Sequence, residues 1–216
     1  VGADSGLAET IGWSRGETAR AFEGNILSTG GTLAWLGRLL DRTPQELAAL
    51  ALTVPDSGGV DLVPAFAGLG APWWDEEAHA LVTGFGLGTG APHLARAALE
   101  SIVLQIEDVL DRADAFASPR VELVLADGGP AQNDWLMQQQ ADLSGRTILR
   151  PAETGLSALG AGYLAGLGSG MWSDEDVIGM SRPRKEFFPE AEPGHATERR
   201  SRWAEAVARA RTKVNR

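Results

Sequence analysis

The residues best suited to chemistry in this chain lie in the run VELVLADGGPAQNDWL, residues 121–136. Residues 121–126 are dense in aliphatic and β-branched side chains and read as a buried strand. The run then breaks into Asp127-Gly128-Gly129-Pro130, and a helical pattern opens around Gln132. Adjacent glycines at the carboxyl end of a strand let the backbone turn sharply and put no Cβ in front of a ligand. In open α/β sheets, ligands sit in the crevice beyond the strand ends. A helix start just beyond offers free N–H groups and the positive end of its dipole, which suits a phosphate or a polar nucleoside. Asn133, one turn into that helix, is placed to hydrogen-bond such a ligand. An ordinary strand-to-helix turn has the same composition, so spacing leaves nucleotide binding and a plain connector both open.

Ser28-Thr29-Gly30-Gly31 is a second place of this kind, because it precedes the helical pattern of residues 32–40. Ser28 or Thr29 can serve as its N-cap, and Gly30-Gly31 can either end the loop or present N–H groups to phosphate. Three acidic residues stand in positions of interest: Asp75 after two tryptophans, Glu100 near the apolar stripe of a helix, and Asp127. None has a local partner that marks it as a general base. His79, His93 and His195 are scattered, and no His/Asp/Glu set has metal-ligand spacing. Serine-elbow, Walker and Rossmann signatures are missing. His93, at a helix start, reads as structural.

Composition narrows the class. With 216 residues the chain has room for one large domain or two small ones and a proper core. A net charge of −10 supplies no positive field for nucleic acid or an anionic membrane, although local N–H groups still suit a small phosphorylated ligand. There is no cysteine, hence no disulfide and no thiolate metal site. No signal peptide or membrane-length apolar run is visible, and a cytoplasmic protein is the expectation.

The elements that must position these residues follow from periodicity. Residues 7–13 and 18–26 read as strands with Gly16 in a hairpin turn between them. Thr43-Pro44-Gln45-Glu46 has the grammar of a helix start: Thr cap, Pro at the first position, Glu at the third. Residues 60–66 and 80–85 read as strands around a Gly- and Pro-rich loop holding Trp73-Trp74-Asp75, whose tryptophans either fill a satellite core or line a cleft. A long helix is expected over residues 91–117, with Leu94, Ala98, Ile102, Ile106 and Val109 on its apolar stripe. Its wet side would hold Glu107, Asp108, Asp111 and Arg112. Further helices are expected over residues 133–143, 156–171 and 196–214, with a short helix at Ser173 and a strand over residues 146–150. Residues 181–194 read as a connector. In the glycine-rich helix, Gly162 and Gly166 form a face for close approach of a ligand or for tight packing.

Five stretches, FEGNILSTGGTLAWL, LVPAFAGLGAPWWD, HLARAALESIVLQIEDVL, ADGGPAQNDWLMQQQADLSG and SALGAGYLAGLGSGMW, occur in one order over nearly the whole chain. In them the chain resembles the C-terminal domain of the FGGY carbohydrate kinases, and PAFAGLGAPWWD is similar to the glycerol-kinase form of the loop rather than the xylulose-kinase form. The resemblance implies an α/β, actin-like (ribonuclease H-like) ATPase fold with a mixed sheet flanked by helices. It also implies ATP with Mg2+ as cofactor and, in the whole enzyme, transfer of a phosphoryl group to a hydroxyl of glycerol or another polyol. Carried over by position, Gly30 would lie by the nucleotide phosphates. Gly129 and Asn133 would hold the nucleotide, and Gly128 would allow its approach.

Residues 1–190 would then be the nucleotide-binding domain and residues 191–216 a terminal helix on it or extending from it. The family's catalytic aspartate, its polyol-binding residues and a phosphate-contacting threonine motif would precede Val1, so this polypeptide alone is expected to lack kinase activity. Departures from the family pattern are His79-Ala80 for Arg-Gly, Gly84-Phe85 for Gly-Leu, and Ala34 where glycerol kinases often carry a glutamine at the nucleotide site. A pentulose or other polyol kinase, a non-catalytic actin-like nucleotide-binding module, a scaffold domain without ligand and a homo-oligomer all stay open.

Overall fold

The computed structural model describes residues 6–116, 120–180, 182–191 and 195–212. The chain divides into two compact units, Val1–Val121 with Ala191–Arg216, and Glu122–Glu190.

The first unit opens with an antiparallel hairpin, β1 (Ala8–Arg15) and β2 (Glu17–Glu23). Gly16 makes its turn at a φ of 76°, in the left-handed region that favours glycine. Helix α1 (Gly30–Leu40) follows, then α2 (Pro44–Ala51). The start of α2 is the expected capping box: Glu46 N–H donates to Thr43 Oγ1 at 3.2 Å, and Thr43 N–H donates to Glu46 Oε2 at 2.7 Å. Short strands β3 (Asp61–Val63) and β4 (Leu81–Thr83) pair antiparallel on either side of the tryptophan loop. The long helix α3 (Ala91–Asp114) packs on α1, α2 and β3, and α7 (His195–Ala210) packs on β3 and β4. Leu36, Leu47, Val60, Leu62, Val63, Leu99, Leu104 and Val207 are buried there. Ala95, Ala97 and Ala98 are buried with no bulk of their own, and they let neighbours approach the axis of α3.

One expectation for α3 fails. Glu107 is only 2% exposed rather than on a wet side. That side is covered by α7, whose Arg200 pairs with Glu107 at 3.2 Å and whose Trp203 indole N–H donates to Asp108 Oδ2 at 2.8 Å. Local periodicity cannot announce a helix that returns from so far along the chain.

The second unit is a three-stranded mixed sheet in the order β5 (Leu123–Leu125), β6 (Thr147–Pro151), β7 (Arg184–Phe187). Strands β5 and β6 are parallel, in the register Leu123↔Thr147 to Leu125↔Leu149, and are joined through α4 (Asp134–Ser144). β7 runs antiparallel to β6 and lies inside the stretch read as a connector. Its sequence, RKEF, buries only Phe187, so hydrophobic alternation never marks it. Leu136, Met137 and Ala141 of α4 are buried with Ile148, Leu149 and Phe187. Helices α5 (Leu156–Gly168) and α6 (Asp174–Gly179) complete the unit. The strand at residues 121–126 is shorter than expected and is not buried: Leu123 is 51% and Leu125 64% exposed. It is an edge strand, with a neighbour on one side only, and Leu123 and Leu125 share the face that is left open. Gly166 serves packing, since a Cβ there would fall 2.1 Å from the Trp172 ring, whereas Gly162 faces open space.

Candidate functional site

Strands β5 and β6 run in the same direction, so the loops that leave their carboxyl ends emerge on one edge of the sheet. The β5 loop runs through Ala126, Asp127, Gly128 and Gly129 into a 3-10 turn, Pro130–Gln132, and then α4. Ala126 N–H still donates to Leu149 carbonyl at 2.8 Å, so the ladder ends one residue before Asp127.

The two glycines differ. Gly128 has a φ of 96°, and the bend requires glycine for that reason. Gly129 has helical angles, φ −56° and ψ −51°, which any residue adopts. A Cβ at either position would meet nothing within 4 Å. The bend is therefore open rather than packed solid, and within this chain nothing demands glycine at 129.

Asn133 is the N-cap of α4 rather than a residue one turn inside it. Its Oδ1 accepts from Leu136 N–H at 3.2 Å, so the oxygen is committed to the helix and the amide N–H groups are what it has to offer. Arg150 of β6 braces this corner. Its Nη1 donates to Ala131 carbonyl at 2.9 Å and pairs with Asp134 Oδ1 at 2.8 Å, while Lys185 of β7 reaches Asp134 Oδ2 at 2.6 Å. Lys185 and Arg150 hold the Asp134 carboxyl below the usual carboxylate range. Sequence reasoning missed both bases, because one stands at a strand end and the other on the unrecognised β7.

Asp127 is exposed, yet its carboxylate is occupied. Oδ2 accepts from Leu156 N–H at 2.8 Å, and backbone hydrogen bonds from Leu156, Gly128 and Gly155 lower its pKa. Such an acid is a poor proton acceptor near neutrality.

In the first unit, Gly30 is the first residue of α1. Thr29 holds the N-cap position, but its side chain makes no cap bond, which corrects the expectation for Ser28 or Thr29. The Ser28 carbonyl is instead fixed by Gln105 Nε2 of α3 at 3.0 Å. Of the helix starts flagged in the sequence, α4 is capped by Asn133 with Asp134 beside it, whereas α1 has neither a side-chain cap nor an acid in its first turn. An anion is favoured at the start of α1 and disfavoured at the start of α4. Gly31 is exposed, and a Cβ there would meet nothing within 4 Å.

The remaining candidates are structural. Asp75 is fully buried and accepts from Thr212 N–H at 2.8 Å, Thr212 Oγ1 at 2.9 Å and Glu77 N–H at 3.2 Å. Trp73 lies under Arg211, whose guanidinium is 4.6 Å from the ring centroid, and Trp74 donates to Gly6 carbonyl at 2.8 Å. Glu100 bridges Arg96 at 2.9 Å and Arg199 at 2.7 Å, and Arg199 also pairs with Asp61. His93 Nδ1 accepts from Gly90 N–H at 3.1 Å and stops the α3 start from fraying. Asp108 is perturbed by its surroundings: burial raises its pKa to about 6, against the N–H groups of Trp203 and Trp73. Among the described residues no group of three or more His, Asp or Glu side chains is placed to hold a metal ion, and no helix is long and apolar enough to cross a membrane.

Residues 4–169 match the C-terminal domain of the FGGY family of carbohydrate kinases. The chain is 49% identical over 213 residues to a glycerol kinase of Aromatoleum aromaticum, covering 95% of this chain and 42% of the relative. It is 42% identical to glycerol kinase 2 of Thermotoga maritima, again over 95% of this chain and 42% of that protein. In three dimensions it is similar to a Plasmodium falciparum glycerol kinase crystallised with ADP (TM-score 0.85, 28% identity, 96% of this chain and 42% of that one). It is also similar to a xylulose kinase from Rhodospirillum rubrum (TM-score 0.75, 27% identity, 94% and 41%). With these structures it shares the α/β actin-like ATPase fold. The chain thus spans about two fifths of the length of the relatives it matches.

Proposed function

Since this chain belongs to the FGGY family of carbohydrate kinases, we propose that it is the ATP-binding part of a glycerol-kinase-like enzyme. The whole enzyme would transfer the γ-phosphoryl group of ATP to a primary hydroxyl of glycerol, giving glycerol 3-phosphate and ADP. The observation that carries this reading is the 49% identity to a glycerol kinase along 95% of the chain. Glycerol is favoured over a pentulose because the PAFAGLGAPWWD loop resembles the glycerol-kinase form and the sequence relatives at 42% and 49% identity are both glycerol kinases.

Each unit is read by itself. The uncapped start of α1 at Gly30 suits phosphate oxygens, where N–H groups and the helix dipole favour negative charge. Gly128, Gly129 and Asn133 suit the nucleoside. The support for this is the open space over both glycines, together with helix starts that already hold their own groups: the Asp127 carboxylate at α5 and the Asn133 cap at α4. The residues fit a nucleotide. A Mg2+ ion keeps several waters and binds phosphates together with one or two carboxylates, so it would be carried on the nucleotide rather than in a cage of protein ligands. When bound, ATP supplies the transferable phosphoryl group, and positioning and charge stabilisation do most of the catalysis.

The catalytic aspartate and the polyol site belong, in this reading, to the other three fifths of such an enzyme. The full-length gene product is expected to form ADP from MgATP only when glycerol is present, in a coupled assay against a panel of glycerol, xylulose and gluconate. The 216-residue chain is expected to bind ADP weakly, by calorimetry, and to form none. Failure of the full-length protein to use glycerol sinks the substrate assignment; glycerol-dependent ADP formation by the chain alone sinks the division of labour.

A further inference from the structure

Helix α5 begins without a cap of its own. Its N-cap residue is Gly155, in the left-handed conformation at φ 78° and ψ 46°, and glycine has no side chain to satisfy the first N–H groups. The cap comes from elsewhere: Asp127, 29 residues earlier than Leu156 in the chain, accepts from the Leu156 N–H at 2.8 Å. Asp127 sits immediately past the end of the β5–β6 ladder and immediately before the two glycines. One carboxylate thereby ties the loop after β5 to the loop after β6, on the edge where both strands end. The far side of the bend is held independently, by Gln132 N–H to Gly129 carbonyl at 3.1 Å and Asn133 N–H to Pro130 carbonyl at 3.1 Å. Between these two anchors lies Gly128, the most permissive residue of the bend, with no packing contact for a Cβ to make.

We infer that Asp127 is a positioning residue for nucleotide binding: its bond to the start of α5 holds the Gly128–Gly129 backbone in one conformation before the ligand arrives. It touches no substrate and moves no proton. This rests on the reading that the bend receives a nucleotide. An anchored loop binds more tightly than a mobile one because the ordering entropy is already spent. The occupied α5 start is also closed to phosphate, which keeps this edge for the uncharged part of the ligand.

The test is ADP titration of the 216-residue chain and its D127A, D127N and D127E variants, by calorimetry at a temperature where circular dichroism shows each fully folded. Hydrogen exchange of the Leu156 amide is followed in the same samples. D127A is expected to weaken ADP binding about tenfold and to speed exchange at Leu156. D127N keeps one acceptor oxygen and should recover to within about threefold of the wild type. A purely structural residue would shift melting temperature without this ordered change in affinity. Equal affinity for D127A and wild type, with Leu156 exchanging fast, overturns the positioning role and leaves the nucleotide reading standing. No ADP binding by the wild type overturns both. Should D127A not fold, D127E, one methylene too long for the same geometry, takes its place, and wild-type affinity for it overturns the inference.

Discussion

Along α3 and α7 the polar groups face one another, and at the bend after β5 they face outward. In the first region Glu100 sits between Arg96 and Arg199, Glu107 meets Arg200, and Asp108 meets the Trp203 indole. In the second, two glycines present backbone to open space, Arg150 and Asp127 brace them, and Asn133 adds its amide N–H groups. The lesson is that the charged residues most visible in the sequence hold the protein together, while three of the four residues proposed to bind ligand, Gly30, Gly128 and Gly129, have no side chain. Substitutions in the first region should change stability; those in the second should change affinity.

The largest effect is expected at Glu100. E100A leaves two mostly buried guanidinium groups short of their counter-charge, and the loss should be about 3 kcal/mol by urea unfolding. A loss below about 1 kcal/mol would erase the contrast between the regions.

Asp108 sharpens it through pH. Its folded pKa of about 6 lies above the ordinary 3.8, so the folded state resists its ionisation. The penalty is absent below pH ~4, grows between pH ~4 and ~6, and stays constant above. D108N removes it, so the difference in unfolding free energy between D108N and wild type should rise by on the order of 2 kcal/mol from about pH 4 to about pH 7. A flat difference across that range would show that Asp108 titrates normally.

Next comes the pair of glycines. G129A is compatible with helical angles and should leave stability within about 0.5 kcal/mol while weakening ADP binding at least about tenfold. G128A forces an L-residue to a φ of 96° and should cost about 1 kcal/mol of stability as well. If G129A binds ADP like the wild type, the bend is a connector. The smallest effect belongs to Asn133. N133D keeps the cap, and its stability should stay within about 0.5 kcal/mol, whereas N133A should lose about 1 kcal/mol. Both lose the amide donor, so both should weaken ADP, a result that capping alone does not produce.

Much of the molecule is legible from sequence where the cause is local. The Thr43–Glu46 capping box, the turn at Gly16, the long helix from Ala91 and the glycine bend all depend on residues a few positions apart. What stays hidden depends on distance along the chain. Glu107 and Asp108 look solvated until α7 returns to them, Asp127 shows its partner only once α5 begins, and Asp75 finds Thr212 across 137 residues. Strand β7 escapes for another reason: three of its four residues are charged, as an edge strand that avoids aggregation should be. The family resemblance supplies the chemistry that neither pattern could.

The order of synthesis gives the α3–α7 face a further meaning. Glu100, Glu107 and Asp108 leave the ribosome well ahead of Arg199, Arg200 and Trp203, and the whole of the other unit is made in between. Unit by unit folding from the N-terminus is the usual course. In this chain the earlier-born unit must wait for the α7 partners of these acids until its own last helix has emerged behind the other.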